Sequence, residues 1–178
     1  MKTKILSVSI LVALLAVPLW AKGPGDPSTS PLLTDIEAAD ILYLYEEEKL
    51  AHDIYVEMYN LYGAYIFNNI SESEQRHMES VAKLIAKYEL DDSSLIMGPG
   101  VFNNNIIQDE YDRLLTKGMQ NLKSALEVGV EIEEMDIADI ERMLKETAKE
   151  NMIRVLSHLL NGSYNHLDAF TTQLGLYP

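Results

Sequence analysis

Glu74 and His77 stand three residues apart in the run S71-E-S-E-Q-R-H77. On a helix, neighbours at i and i+3 share a face, and this face continues through Ile70, Met78, Val81, Leu84, Ile85 and Tyr88. A carboxylate and an imidazole therefore interrupt a stripe that should be buried. Such burial is costly unless the charge is paired or ligates a metal.

Three other segments carry the same kind of intruder. Glu48 falls with Ile41, Leu44, Tyr45, Ala51 and Tyr55, and Glu47 is nearly as well placed beside Leu44, Leu50, Ala51, Ile54 and Met58. Glu133 sits in the stripe Leu126, Val130, Ile137, Ile140 and Leu144, with Glu134 one step round. His166 follows Leu156, Leu159 and Ser163 and precedes Phe170. Carboxylates that bridge and neutralise two cations, with neutral imidazoles completing the shells, form the donor set of a di-metal site. The candidate ligands are Glu48, Glu74, His77, Glu133, Glu134 and His166, and the choice between Glu47 and Glu48 stays open. Oxygen-rich ligation with some imidazole suits two iron ions; manganese or zinc would also bind.

Each residue also has a plainer reading. Glu74 could close a capping box with Ser71. Glu46, Glu47 and Glu48 could form a solvated face, as could Glu131, Glu133 and Glu134, and His77 could be a core histidine with its bonds satisfied. All of these would have to hold at once on four helices, whereas convergence of titratable groups in a core marks function. The tyrosines of the first helix, Tyr45, Tyr55, Tyr59 and Tyr62, read first as packing with satisfied hydroxyls, and second as hydrogen-bond donors or electron relays near a metal. His52 could reach the rim of a site, while His158 and Asp168 read as surface or supporting groups.

The elements that must position these residues are helices; strand signals are nearly missing. The pattern predicts a first helix over about 36–61, with Thr34 as N-cap, Glu37 as its capping-box partner and Gly63 as terminator. A second covers about 71–88, with a start a few residues earlier left open. A loop holding Gly98-Pro99-Gly100 leads to a short helix over about 106–117, ended by Gly118. Two further helices cover about 120–146 and 151–173. The fold class is all-α. Short links join the first pair and the last pair, and one long crossover with its own short helix joins the pairs. This is the ferritin-like form of a four-helix bundle, with an up-down bundle carrying a decorated loop as the alternative.

Lys2 and Lys4, an apolar run from Ile5 to Val17 and a small-residue end at Ala21 have the layout of a signal peptide over residues 1–21. The apolar run is short for a membrane span, which takes ~20 residues. Residues 22–33 are rich in Gly, Pro, Ser and Thr and read as a flexible linker, leaving 34–178 as one domain. The expected location is outside the cytoplasm, periplasmic or extracellular. The chain carries a net charge of −14; without Lys2 and Lys4, 12 basic residues face 28 acidic ones, about −16. Such a surface repels nucleic acid and anionic lipid and favours cations. The chain has no Cys, which removes disulfides, iron–sulfur and thiolate zinc sites and a lipid anchor near Ala21.

The same residues carry a resemblance. E48-K-L-A51-H-D53-I-Y55 is similar to the first helix of rubrerythrins and bacterioferritins, and E74-Q-R-H77 matches their second-helix Glu-x-x-His. The segments E46-E-E-K-L-A, S73-E-Q-R-H-M, I132-E-E-M-D-I and G162-S-Y-N-H-L-D-A-F resemble the ferritin-like family catalogued as domain of unknown function 2202, from about Leu42 to Phe170. That resemblance implies a ferritin-like bundle with a di-iron site, in which Glu48, Glu74 and His77 are the firmest ligands and His166 takes the fourth-helix histidine position. Ser163 stands where the matching bridging Glu of rubrerythrin belongs, so Glu133 and Glu134 are the candidates to supply that carboxylate. The four-Cys rubredoxin domain of rubrerythrin, its built-in electron donor, is absent.

The function expected is therefore an exported di-iron oxidoreductase that reacts with O2 or peroxide, of ferroxidase or peroxidase type, reduced by an external donor or by incoming Fe(II). The alternatives are a metal-binding protein of the cell envelope that buffers or carries ions without redox turnover, and a metal-free module whose acidic surface docks a basic partner. Assembly into a homo-oligomer is left open.

Overall fold

A computed structural model describes residues 32–95 and 97–177; the expected signal peptide and nearly all of the linker lie outside the described residues. Within them the chain forms five helices: α1 Asp35–Tyr62, α2 Tyr65–Lys87, α3 Asn105–Gly118, α4 Leu122–Glu146 and α5 Glu150–Leu174. None is long and apolar enough to cross a membrane.

Local signals start and stop them. Thr34 and Glu37 form the capping box: Thr34 Oγ1 accepts from the Glu37 N–H at 3.1 Å, and Glu37 Oε2 accepts from the Thr34 N–H at 2.9 Å. Gly63 ends α1 at φ +64, a left-handed position that suits Gly, with its N–H on the Tyr59 carbonyl. Asn104 and Asn121 cap α3 and α4 through their side chains. α2 begins at Tyr65, so Ser71 lies inside the helix and donates to the Asn68 carbonyl at 2.9 Å. The Ser71–Glu74 capping box is thereby excluded, and Glu74 is free to face inward.

α1 pairs with α2 and α4 with α5; α1 also packs on α4 and α2 on α5, while the backbones of α2 and α4 stay apart. Cross-contacts such as Arg142 with Asp40 and Tyr55 with Glu133 run α1 and α4 antiparallel. Tyr88 with Asn151 and Glu74 with His166 do the same for α2 and α5. Helices α2 and α4 are thus diagonal and point the same way, and the chain must travel the bundle's length between them. α3 makes that return against α1 and α4.

The crossover is tied down from α1. Buried Lys49 donates to Asp53 at 2.5 Å and to the Gly98 carbonyl at 3.0 Å, with its ammonium 4.3 Å from the Phe102 ring centroid. Asp53 Oδ2 accepts from the Gly100 N–H at 2.9 Å, and Glu46 Oε2 accepts from the Asn104 N–H at 3.0 Å. This covering buries Glu46, while the packing of α1 on α4 and α2 buries Glu47 and Glu48, so the three do not form a solvated face. The core divides into two apolar clusters, one around Tyr55, Met58, Phe67 and Phe170, the other around Leu44, Val81, Ile140 and Leu156. Between them lies a polar layer.

Candidate metal centre

The polar layer draws on every long helix. α1 contributes Glu47 and Glu48, α2 Glu74 and His77, α4 Glu133 and Asp136, and α5 Ser163 and His166, all buried. Two groups of donor atoms come close enough to share an ion: Glu48, Glu74 and His77, and Glu74, Glu133 and His166. Glu74 belongs to both. Its Oε2 lies 2.7 Å from His77 Nδ1 and its Oε1 2.7 Å from His166 Nδ1. Glu48 Oε2 is 3.1 Å from His77 Nδ1, and Glu133 Oε2 is 3.5 Å from His166 Nδ1. Metal–ligand bonds of about 2.1 Å at 90–110° place neighbouring ligand atoms roughly 3.0–3.4 Å apart, close to these separations.

The atoms satisfy one another only in part: His77 Nδ1 and Glu48 Oε2 share a hydrogen bond. His166 Nδ1 and Glu74 Oε1 are adjacent, yet neither has an aligned hydrogen bond. Glu47 Oε2, Glu48 Oε1 and Asp136 Oδ1 are likewise buried without a partner. Native interiors leave few polar atoms in that state. Among the described residues no Lys or Arg ion pair reaches these carboxylates, since Lys49 is committed to Asp53. Five carboxylates facing two imidazoles in a buried layer are what bound cations would offset.

The protonation pattern without metal shows the same crowding. Burial pushes the Glu133 carboxyl up to about 8, reinforced by the charge of Glu74. Burial also lifts Asp136 to about 7 against the opposing Ser163 hydrogen bond. Glu47 and Glu48 are raised well above the usual carboxylate range by burial and then by the charge of Asp136. Glu74 runs the other way: burial opposes its charge, but His166 and His77 hold it down to about 2. Both imidazoles, despite burial, are raised by carboxylates, His77 to about 11 by Glu48 and Glu74 and His166 to about 9 by Glu133 and Glu74.

Surrounding residues fix the geometry. Tyr55 donates its hydroxyl to Glu133 Oε1 at 2.7 Å, and its ring packs against Phe67 and Phe170. Gly162 lets the His77 ring lie against α5; a Cβ there would stand 2.5 Å from His77 Nε2. His77 and His166 stack at 5.5 Å between ring centroids. A cavity of ≈ 20 Å³ opens on the α1–α4 side, lined by Glu47, Glu48, Glu74, Glu133 and Asp136 and closed by apolar groups including Ala51, Ile107 and Ile132. That is room for about one water-sized species.

Five of the sequence-derived candidates, Glu48, Glu74, His77, Glu133 and His166, meet in this layer. Glu134 does not: it is exposed, because one residue on an α-helix turns ~100° and carries it away from Glu133 to solvent. His52 is partly exposed and pairs with Asp53 at 2.9 Å, while His158 and Asp168 are exposed. Asp136 was not among the candidates. Its signal is its place one turn after Glu133, a Glu-x-x-Asp that parallels the Glu-x-x-His of α2.

Residues 37–176 match the family described as an uncharacterized protein domain, DUF2202. The chain belongs to this family. Uncharacterized protein MJ0754 of Methanocaldococcus jannaschii is 39% identical over 145 residues, which cover 82% of this chain and 78% of that protein. The crystal structure of hypothetical protein MJ0754 from Methanococcus jannaschii superposes with a TM-score of 0.80 at 37% identity, covering 88% of this chain and 87% of that one. The DUF2202 bundle and its buried acidic and histidine groups are therefore the frame for any functional reading.

Proposed function

We propose that this protein is a ferritin-like di-iron carboxylate protein of the cell envelope that reduces O2 or peroxide, with oxidation of Fe(II) or removal of peroxide as its net reaction. The observation that carries the reading is the position of Glu74, which turns one oxygen to each of two buried imidazoles. A bridging carboxylate needs that geometry. Glu48 and His77 would hold one ion, Glu133 and His166 the other. Two ferrous ions held there would supply the electron pair that the oxidant takes up.

The chain's own contribution is geometry, dryness and proton control. The ≈ 20 Å³ cavity reaches the carboxylate side and not an organic-sized space, which selects a small oxidant over a large substrate. Tyr55 holds a proton on its hydroxyl oxygen, 2.7 Å from Glu133 Oε1, within the heavy-atom reach a proton donor requires. The electrons come from a separate donor or from further Fe(II), since the chain has no Cys for a donor cluster of its own.

The test is anaerobic loading with Fe(II), metal analysis and exposure to O2 and to peroxide. About two irons per chain and a ferric near-ultraviolet absorption with turnover support the proposal. Two ions without turnover would favour ion buffering, and a folded chain with no stoichiometric metal would end both readings.

A further inference from the structure

We propose that Asp136 is a further metal ligand, and that Ser163 holds it in place so that α4 supplies the carboxylate that α5 lacks. This inference rests on the di-metal reading above and extends its ligand set to a residue outside both donor groups.

The two oxygens of Asp136 are in different states. Oδ2 accepts a hydrogen bond from the Ser163 hydroxyl, while Oδ1 is buried with no partner. The carboxylate lines the same cavity as Glu48, Glu74 and Glu133. An acidic side chain with one oxygen anchored and the other buried without a partner, lining a cavity it shares with three candidate ligands, has the form of a monodentate ligand with a supporting donor. Ser163 Oγ also lies 3.1 Å from the Leu159 carbonyl, a competing acceptor for the same single hydroxyl proton.

Charge supports the assignment. Glu48, Glu74 and Glu133 bring three negative charges to two divalent ions; Asp136 brings the fourth, so the ligand set itself balances the ions with Glu47 standing outside it, a favourable condition in a low dielectric. Position supports it too. Ser163 precedes His166 by three residues and so shares its helix face. A carboxylate on α5 at that point and Asp136 reaching across from α4 aim at the same space, because Ser163 and Asp136 are in contact.

The experiment measures metal stoichiometry and affinity with Mn(II) and Co(II), the Co(II) visible spectrum, and thermal unfolding of metal-free protein. It compares the intact chain, Asp136→Asn, Ser163→Ala and the double variant Asp136→Ala with Ser163→Glu. Two ions in the intact chain, one lost or bound at least about tenfold more weakly in Asp136→Asn, and recovery of the second ion in the double variant bear the proposal out. Ser163→Ala should keep two ions but weaken one and change its Co(II) spectrum, an effect that loss of packing alone would not produce. Two ions at unchanged affinity in Asp136→Asn would overturn the assignment while leaving the di-metal reading intact. No ions in the intact chain would overturn both. Asp136→Asn removes a buried charge, so its metal-free melting temperature should hold or rise; if that variant fails to fold, an unchanged Ser163→Ala overturns the proposal on its own.

Discussion

Gly162 is a single-atom test of the site. Ala at this position places a Cβ 2.5 Å from His77 Nε2 and 2.6 Å from its Cε1. Non-bonded carbons settle at about 3.5–4.0 Å, so the ring must retreat by roughly 1 Å. It has little freedom to do so, with His166 stacked at 5.5 Å, His158 edge-on at 6.1 Å and Nδ1 directed at Glu48 and Glu74. Metal–ligand distances tolerate about ±0.2 Å, so the shift takes the imidazole off its ion. Loss of the groups that orient a ligand costs ~10–100-fold in affinity, or about 1.4–2.7 kcal/mol, and the stabilisation conferred by metal shrinks accordingly. The metal-free protein responds differently: overpacking costs ~1–3 kcal/mol, and replacing a mid-helix Gly by Ala returns about 0.5–1 kcal/mol. Gly162→Ala should therefore melt slightly lower without metal and lose most of the metal-dependent gain. Calorimetry with and without Mn(II), together with metal analysis, separates the two effects. A variant that binds both ions as tightly as the intact chain would refute the claim that Gly162 seats His77 as a ligand.

Two further outcomes follow from the same geometry. In metal-free protein His77, His166, Glu133 and Asp136 all hold protons to higher pH than their unfolded counterparts, the last three up to about 9, about 8 and about 7. The folded chain then binds more protons than the unfolded one above about pH 4, so metal-free stability falls as pH rises; Glu74, depressed to about 2, works the opposite way only at acid pH. Urea midpoints of metal-free protein should decline from about pH 5 to 9 and those of loaded protein decline less, and a metal-free profile that rises over this range would contradict the assigned protonation. Tyr55→Phe removes the donor to Glu133 Oε1 at 2.7 Å; the loaded protein should lose about 1.5–3 kcal/mol, and an unchanged urea midpoint would show that this hydrogen bond carries no weight.

Much of this arrangement is written in local sequence. Helix limits follow from caps and breakers, as at Thr34, Glu37 and Gly63, because these act through backbone groups within one turn. Glu48, Glu74, His77, Glu133 and His166 stand out because each interrupts an apolar stripe, and periodicity alone reports that. Periodicity treats each helix as having one buried stripe, however, and a helix with neighbours on two sides buries a wider arc. α4 faces both α1 and α5, so Asp136, off the stripe through Glu133, is buried against Ser163, while Glu134 on the other side is in solvent. α1 is covered by α2, α4 and the crossover helix α3, so Glu46, Glu47 and Glu48 are all inside, each toward a different neighbour: Glu46 to the crossover at Asn104, Glu47 toward Asp136 and Asp139, Glu48 to His77.

The sequence by itself determined the helices, most of their ends and the donor types available, since these depend on neighbours within a turn or two; the start of α2 at Tyr65, six residues before the expected one, has no side-chain cap to mark it. Only the tertiary structure decided which carboxylates meet. Donor convergence depends on rotations and heights set by four helices packing together, and a turn of ~100° about one axis separates a buried carboxylate from a surface one.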